Sequence, residues 1–450
     1  MREHLKTTNI GGRLTRVPYT SFFLLLIVFL LAEPFYFSDP MNGGGLSPSD
    51  RARIISAGGP ERQVGLLLLA LFAIVSLRRH RPSQFHAHSC LAWPALLFLS
   101  WACMSIIWSD DPSLTVRRVG SLLILCMGAV AVGKSFSYRN VLQFTFVGGM
   151  ASVVGGVFSE LALGIFHPFE AEYRFAGIMG PNFTGWNCSL CLIAIVALGR
   201  NKPHIVRLGY SLVFVGVTGF LILTKSRGAL AGASLGLLAY FILVSSWRRI
   251  VTVVYATATI ACAILLLGGA NTGARLTHAL LLGRTDDPTT LTGRAPYWEG
   301  ELLPNFMKSP IAGYGYDSFW TASRYLQHAS AAAGGWFFPD SHNTLIEIAL
   351  GLGAVGLVLY ITVFAVAAYL SVRASDSSPG CTGPFAAAVL VCSFVNSNLS
   401  SAQLEPYLGS FVYLIVLAQI AFSEPPVRRY VSYVSSRYYR CALHLQQRTR

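Results

Sequence analysis

The sequence predicts an all-α, polytopic membrane protein, a helical bundle of about 12 transmembrane helices, and three observations predict it. Hydrophobic residues make up 53% of the chain and charged residues only 12%, with a mean hydropathy of +0.54, more than a soluble core uses. Apolar segments of about 20 residues, the length that crosses a bilayer, recur along all 450 residues. Lysine and arginine collect in alternate connections between those segments.

The segments fall near 19–36, 62–77, 91–108, 115–133, 141–164, 183–199, 206–224, 228–246, 249–268, 343–371, 383–398 and 403–422. The second is the least distinct, because its apolar core from Val64 to Leu77 is short. With both termini in the cytoplasm, 21 of the 34 Lys and Arg lie inside, and 17 of the 20 acids lie outside. That asymmetry obeys the positive-inside rule. The net charge of +14 is therefore mostly a topology signal, with some attraction to anionic inner-leaflet lipid, and nucleic acid is not needed to explain it.

On this orientation residues 1–268 carry helices 1–9, 269–341 form a large extracytoplasmic loop with short helices, 342–424 carry helices 10–12, and 425–450 are a basic cytoplasmic tail. The basic start followed by Ser21 to Ala32 runs into Glu33-Pro34 without a small-residue cleavage site, so the first helix is expected to be its own targeting signal. Nine cysteines, most of them within spans, argue against a disulfide framework, and Cys188 and Cys191 read as helix neighbours in an apolar setting. No P-loop or dinucleotide fingerprint is present, so no cofactor is expected and group transfer must use a pre-activated donor.

The break from Gly269 to Ser341 interrupts the hydrocarbon-soluble chain with charges, aromatics and turn glycines suited to contacting a ligand. Three features converge with it on the outer surface. The turn Thr224-Lys225-Ser226-Arg227-Gly228 places two cations where the positive-inside bias disfavours them. Arg294 lies in the loop close to Trp298, and His342 stands where the loop re-enters the membrane, followed by Asn343 and, one turn on, Glu347. Each has an ordinary reading: a snorkelling arginine, a solvated one, and a histidine at a helix start.

Together the elements Ser226-Arg227-Gly228-Ala229, Gly293-Arg294 with Trp298, Pro310 and Gly313-Tyr314-Gly315 with Phe319, and His342-Asn343 leading into Glu347, Gly353 and Gly356 resemble the O-antigen ligase superfamily. That superfamily also contains polymerases of O-antigen and exopolysaccharide. The resemblance runs from about Val206 to Leu370, and Trp108-Ser109-Asp110-Asp111-Pro112 and Gly180-Pro181-Asn182 with Gly185 look like further outer-face elements of it, beside their plain turn readings.

The resemblance implies a GT-C-like glycosyltransferase of the bacterial inner membrane, working on the periplasmic face with an undecaprenyl-diphosphate-linked oligosaccharide or polysaccharide as donor. Its acceptor would be another glycan or lipid A core, with other polysaccharide assembly or export proteins as partners. The residues agree with that chemistry. Breaking a glycosyl–diphosphate bond builds negative charge on the leaving group, and arginine meets phosphate oxygens with a charged, planar fork. Arg227 and Arg294 are the candidates, with Lys225 in support. His342 is the candidate general base for the acceptor hydroxyl, which predicts direct displacement with inversion and no metal.

Asn343 and Glu347 would orient the helix start or tune His342. Trp298, Tyr314 and Tyr316 would stack on sugar faces or serve as belt aromatics. Asp286-Asp287 reads as a solvated turn before Pro288 rather than a metal site. The stretches Tyr297 to Phe306 and Asp317 to Gln327 are expected to be short helices over the outer face, and the Gly148-Gly149 and Gly155-Gly156 pairs to permit close or gapped helix packing. A transporter or flippase for a lipid-linked or amphipathic solute is the alternative. It predicts paired repeats and ionisable groups near the midplane, which the sequence does not clearly display.

Overall fold

The computed structural model describes residues 60–79, 89–170, 173–200, 202–245, 294–331, 340–377, 382–399 and 404–422. The spans expected near 19–36 and 249–268, the Asp286-Asp287 doublet and the basic tail lie outside the described residues. All regular structure among the described residues is helical. Seven of the helices are long and apolar enough to cross a membrane. The chain is a multi-pass helical membrane protein.

The first part runs α1 (Pro60–Arg78), α2 (Ser89–Met104, extended by a tight turn Ser105–Ile107), α3 (Pro112–Ser135) and α4 (Tyr138–Ala162). It continues through α5 (Pro181–Gly199), α6 (His204–Leu223) and α7 (Arg227–Val244). The starts follow from local chemistry: Asp111 accepts from Leu114 N ahead of Pro112, Ser137 from Asn140 N, and Ser226 from Ala229 N. The loop contributes α8 (Arg294–Tyr297), a π-turn Trp298–Leu302, α9 (Leu303–Lys308) and α10 (Ala322–Ala331). Three helices close the chain: α11 (Thr344–Ser377), α12 (Thr382–Ser397) and α13 (Leu408–Ala421).

Helix α13 is the hub, with Phe411, Val412, Tyr413, Ile415 and Val416 buried among α3, α4, α5 and α12. It begins at Leu408, later than the span expected from 403, so Glu405 lies ahead of the helix. Helix α6 presents Ile205, Leu208, Leu212 and Val215 outward, as a lipid-facing flank does. The α4 glycines give close packing rather than a gap: a Cβ on Gly149 would meet Cys191, one on Gly148 would meet Leu408, and one on Gly156 would meet Gly177 and Phe175.

Helix α11, expected as one continuous span, is broken at Gly353, which has φ 66° and ψ −169°. The segment 310–315 fills the break. Tyr314 N donates to Leu350 O at 2.9 Å, Gly315 N to Gly351 O at 2.8 Å, and Ala354 N to Pro310 O at 2.8 Å. Trp101 Nε1 donates to Leu352 O at 3.0 Å. A helix interrupted at membrane depth survives only when neighbouring protein satisfies its freed backbone groups, and this segment does so. Glycine is required on both sides: a Cβ on Gly353 would sit 2.0 Å from Ile311 O, and one on Gly313 2.5 Å from the Gly351 carbonyl carbon.

The expected short helix over Tyr297 to Phe306 is present as α8, the π-turn and α9. The one expected from Asp317 starts later, at Ala322, because Asp317 to Trp320 turn inward against α3 and α11 instead.

Candidate active site

Every turn named as an outer-face element lies at one end of the bundle, and the contacts between them show how the chain assembles that end. Trp108 Nε1 donates to Ala312 O at 3.0 Å and Asp110 N to Tyr314 O at 3.4 Å, so the start of α3 clasps the 310–315 segment. Arg118 Nη1 pairs with Asp317 Oδ2 at 2.6 Å, and Arg324 Nη2 with Asp110 Oδ2 at 2.5 Å. Two independent ion pairs therefore tie the loop to α3.

The turn before α7 holds the first candidate group. Lys225 sits at φ 49°, Ser226 caps α7, and Arg227 is its first residue. The neighbouring 173–182 segment braces it: Phe175 N donates to Leu223 O at 2.9 Å and Arg174 Nε to Thr224 O at 3.2 Å. Ser226 Oγ donates to Asn182 Oδ1 at 3.1 Å. That segment is itself anchored on a buried carboxylate. Glu160, 1% exposed near the end of α4, accepts from Ala176 N and Gly177 N at 2.8 Å each and from the Tyr173 hydroxyl. Burial and the Glu160 carboxylate push the Tyr173 hydroxyl far up, so it donates.

The second group is the turn before α11. His342 sits at φ 51°, and its backbone N–H and ring Nδ1 both meet Asp340 Oδ1, the former at 2.6 Å. Asn343 caps α11, accepting from Leu345 N at 2.9 Å and Ile346 N at 3.2 Å. Glu347 accepts from Ser341 N at 2.6 Å and from Trp320 Nε1 at 3.0 Å, so it orients the turn rather than standing alone in the span. Trp298 Nε1 donates to Ser341 O at 2.7 Å, which seats the π-turn on the same residue. Arg294 heads α8 four residues before Trp298, with its Nε buried.

The end of α12 links the two groups. Thr344 Oγ1 donates to Ser397 O at 3.0 Å, while a Cβ on Gly228 would lie 2.7 Å from Leu399. The residues after Arg227 and after His342 thus lean on one corner, 397–399. A small cavity opens between α11 and the residues before α13, lined by Asp317, Thr344, Glu347 and Glu405 among others. Burial pushes the Glu405 carboxyl up, with Asp317 adding and Arg62 and Arg118 opposing.

The aromatics have defined seats. Tyr314 donates its hydroxyl to Asn305 O at 2.8 Å, packs on Phe319, and carries the Arg324 guanidinium 4.6 Å over its ring. Burial raises the Tyr314 hydroxyl. Tyr316 is buried, with its N–H on Ser105 Oγ at 2.9 Å. Both therefore build the wall of the site.

Sequence reasoning missed Arg118, Glu160, Arg174, Asp340 and Glu405 as members of this end. Glu160 was within reach, because the rule that singled out Glu347, an ionisable residue inside a span, applies to it equally. Asp340 stands two residues before His342 but reads as an ordinary solvated loop acid without its contacts.

Two comparisons with known proteins bear on this chain. A family model described as O-Antigen ligase matches residues 211–361, a stretch holding Arg227, Arg294 and His342. The exopolysaccharide production protein ExoQ of Rhizobium meliloti (strain 1021) is 26% identical over 343 residues, covering 70% of this chain and 74% of that protein. The family match spans both helix entrances and the loop that joins them, and the relative extends the similarity over most of the chain: the protein is similar to the O-antigen ligase family across residues 211–361 and to an exopolysaccharide production protein over 70% of its length.

Proposed function

We propose that this protein is a membrane glycosyltransferase acting in surface polysaccharide assembly, with exopolysaccharide the favoured product. It would move glycan from an undecaprenyl-diphosphate donor to an acceptor hydroxyl on the periplasmic face of the inner membrane. One observation carries the reading: a basic helix entrance at Lys225 and Arg227 and a carboxylate-braced histidine entrance at His342 stand at the same end of the bundle on a shared corner. The preference for exopolysaccharide comes from the name of the relative in Rhizobium meliloti.

The chemistry follows from the groups. The acceptor oxygen forms a bond to the anomeric carbon while the anomeric C–O bond to the diphosphate breaks, its electron pair leaving on the phosphate oxygen. The hydroxyl proton passes to His342 and later to water. Arg227 and Arg294, with Lys225, meet the charge that builds on the departing undecaprenyl diphosphate. Attack opposite the leaving group inverts the anomeric centre. Both termini are cytoplasmic in this reading, the placement that puts 21 of the 34 Lys and Arg inside and 17 of the 20 acids outside.

The test replaces Arg227, Arg294 and His342 separately with Ala in a producing strain, with each protein quantified in the membrane. Transfer is expected to fall about 100-fold or more in each. Normal surface polysaccharide from all three membrane-inserted variants would sink the reading. Single lipid-linked repeat units accumulating marks a polymerase, whereas long lipid-linked chains with undecorated lipid A mark a ligase.

A further inference from the structure

We infer that Asp340 is the positioning residue of this site, holding the His342 imidazole so that Nδ1 bears the hydrogen and Nε2 receives the proton of the acceptor hydroxyl. The inference rests on the reading of His342 as general base and adds the group that makes it one.

A single Asp340 oxygen, Oδ1, accepts from the His342 backbone N–H at 2.6 Å and from ring Nδ1. An ionised carboxylate only accepts hydrogen bonds, so Nδ1 carries the hydrogen and the lone pair belongs to Nε2. When Nε2 takes a proton, the imidazolium already faces a carboxylate, which stabilises the charge in the state where it appears. The donor chemistry is unchanged: the acceptor O–H bond breaks, its electrons go to the new glycosidic bond, and the proton leaves through Nε2 to solvent.

The backbone around the pair holds this orientation. Ser341, 1% exposed, gives its N–H to Glu347 Oε1 at 2.6 Å, its hydroxyl to Asn343 O at 2.8 Å, and receives Trp298 Nε1 on its carbonyl at 2.7 Å. Three contacts on one residue keep the turn closed and maintain His342 at φ 51°, a backbone conformation that persists only where its surroundings enforce it. Glu347 is committed to Ser341 and Trp320, which leaves Asp340 as the carboxylate on the ring. Burial, then Glu347 and Asp340, push the Tyr297 hydroxyl up, so this neighbour remains a neutral donor and does not compete as the base.

The experiment uses the full chain in liposomes, supplied with undecaprenyl-diphosphate-linked repeat units extracted from the producing strain, and reads released undecaprenyl diphosphate. D340N keeps the shape and an acceptor for the backbone N–H but removes the charge. Its kcat is expected to fall about 10- to 100-fold, with KM for donor and acceptor within about two-fold of the parent. D340E, which restores the charge, is expected to turn over at least about five-fold faster than D340N. An H342A protein that transfers normally would overturn the general-base reading itself. An inactive H342A beside a D340N that works like the parent, or D340N and D340E equally slow, would overturn the positioning role and leave the base standing. Should D340N fail to accumulate, D340E decides alone: lower kcat at unchanged KM supports the role, and raised KM at unchanged kcat overturns it.

Discussion

At the start of α7 the chain passes through a left-handed residue, Lys225, and a serine cap, Ser226, into Arg227; at the start of α11 it passes through left-handed His342 and an asparagine cap, Asn343, into Thr344. The backbone solution is the same, and the charge is opposite. A helix N-terminus carries partial positive charge, so Lys225 and Arg227 oppose the α7 dipole, while Asp340 and Glu347 complement that of α11. In the proposed reaction, cations concentrated where they cost stability would meet the polyanion of the donor. Carboxylates placed where they stabilise the helix instead aim a histidine. In the proposed mechanism one entrance binds and the other handles a proton. Among the described residues, the non-glycine residues with positive φ are Lys225, Asp317 and His342, all at this end of the molecule.

The largest effect expected on this contrast comes from H342G. Glycine accepts φ 51° without strain, so thermal unfolding in detergent should show equal or higher stability, while transfer falls about 100- to 10,000-fold. A parallel loss of stability would mean that the histidine serves packing. Next is R227A, for which turnover should fall about 100- to 1,000-fold, with stability unchanged or raised by about 0.3–1 kcal/mol once the cation leaves the helix start. If R227A unfolds more easily, the binding role of that entrance is lost.

The caps sharpen the comparison. S226A and N343A should each cost about 1 kcal/mol. Turnover should suffer more in N343A, because its cap adjoins the base, and equal losses in the two variants would argue against the division of labour. The smallest effect concerns Glu405. A carboxyl raised in the folded state contributes stability below its unfolded value of 4.5 and loses it as pH rises through the folded value. The parent should therefore weaken from about pH 5 toward neutrality relative to E405Q, and melting curves across that window that run parallel would contradict it.

The legible part of the site comprised groups whose chemistry shows without partners. Arg227 and Lys225 stood out because positive charge on the outer side breaks a charge rule, and His342 because it stands at a loop–helix junction. Arg118, Arg174 and Glu405 were not legible, since what each does is set by partners distant in sequence, such as Asp317 for Arg118 and Thr224 for Arg174. The break at Gly353 was hidden for a different reason. Hydropathy counts side chains, and the apolar run continues through a point where the backbone hydrogen bonds change partner.

Composition and the alternation of Lys and Arg by themselves determined a polytopic helical membrane protein and its expected orientation, because transfer into hydrocarbon depends on side-chain polarity residue by residue. Motif order pointed to a resemblance to O-antigen ligases, and the family match over 211–361 agrees with it. Only the tertiary structure decided that the loop threads into a broken helix, that two oppositely charged entrances share the α12 corner, and that Asp340 rather than Glu347 holds the histidine. These depend on which hydrogen-bond donor reaches which acceptor, and that is settled by packing in three dimensions.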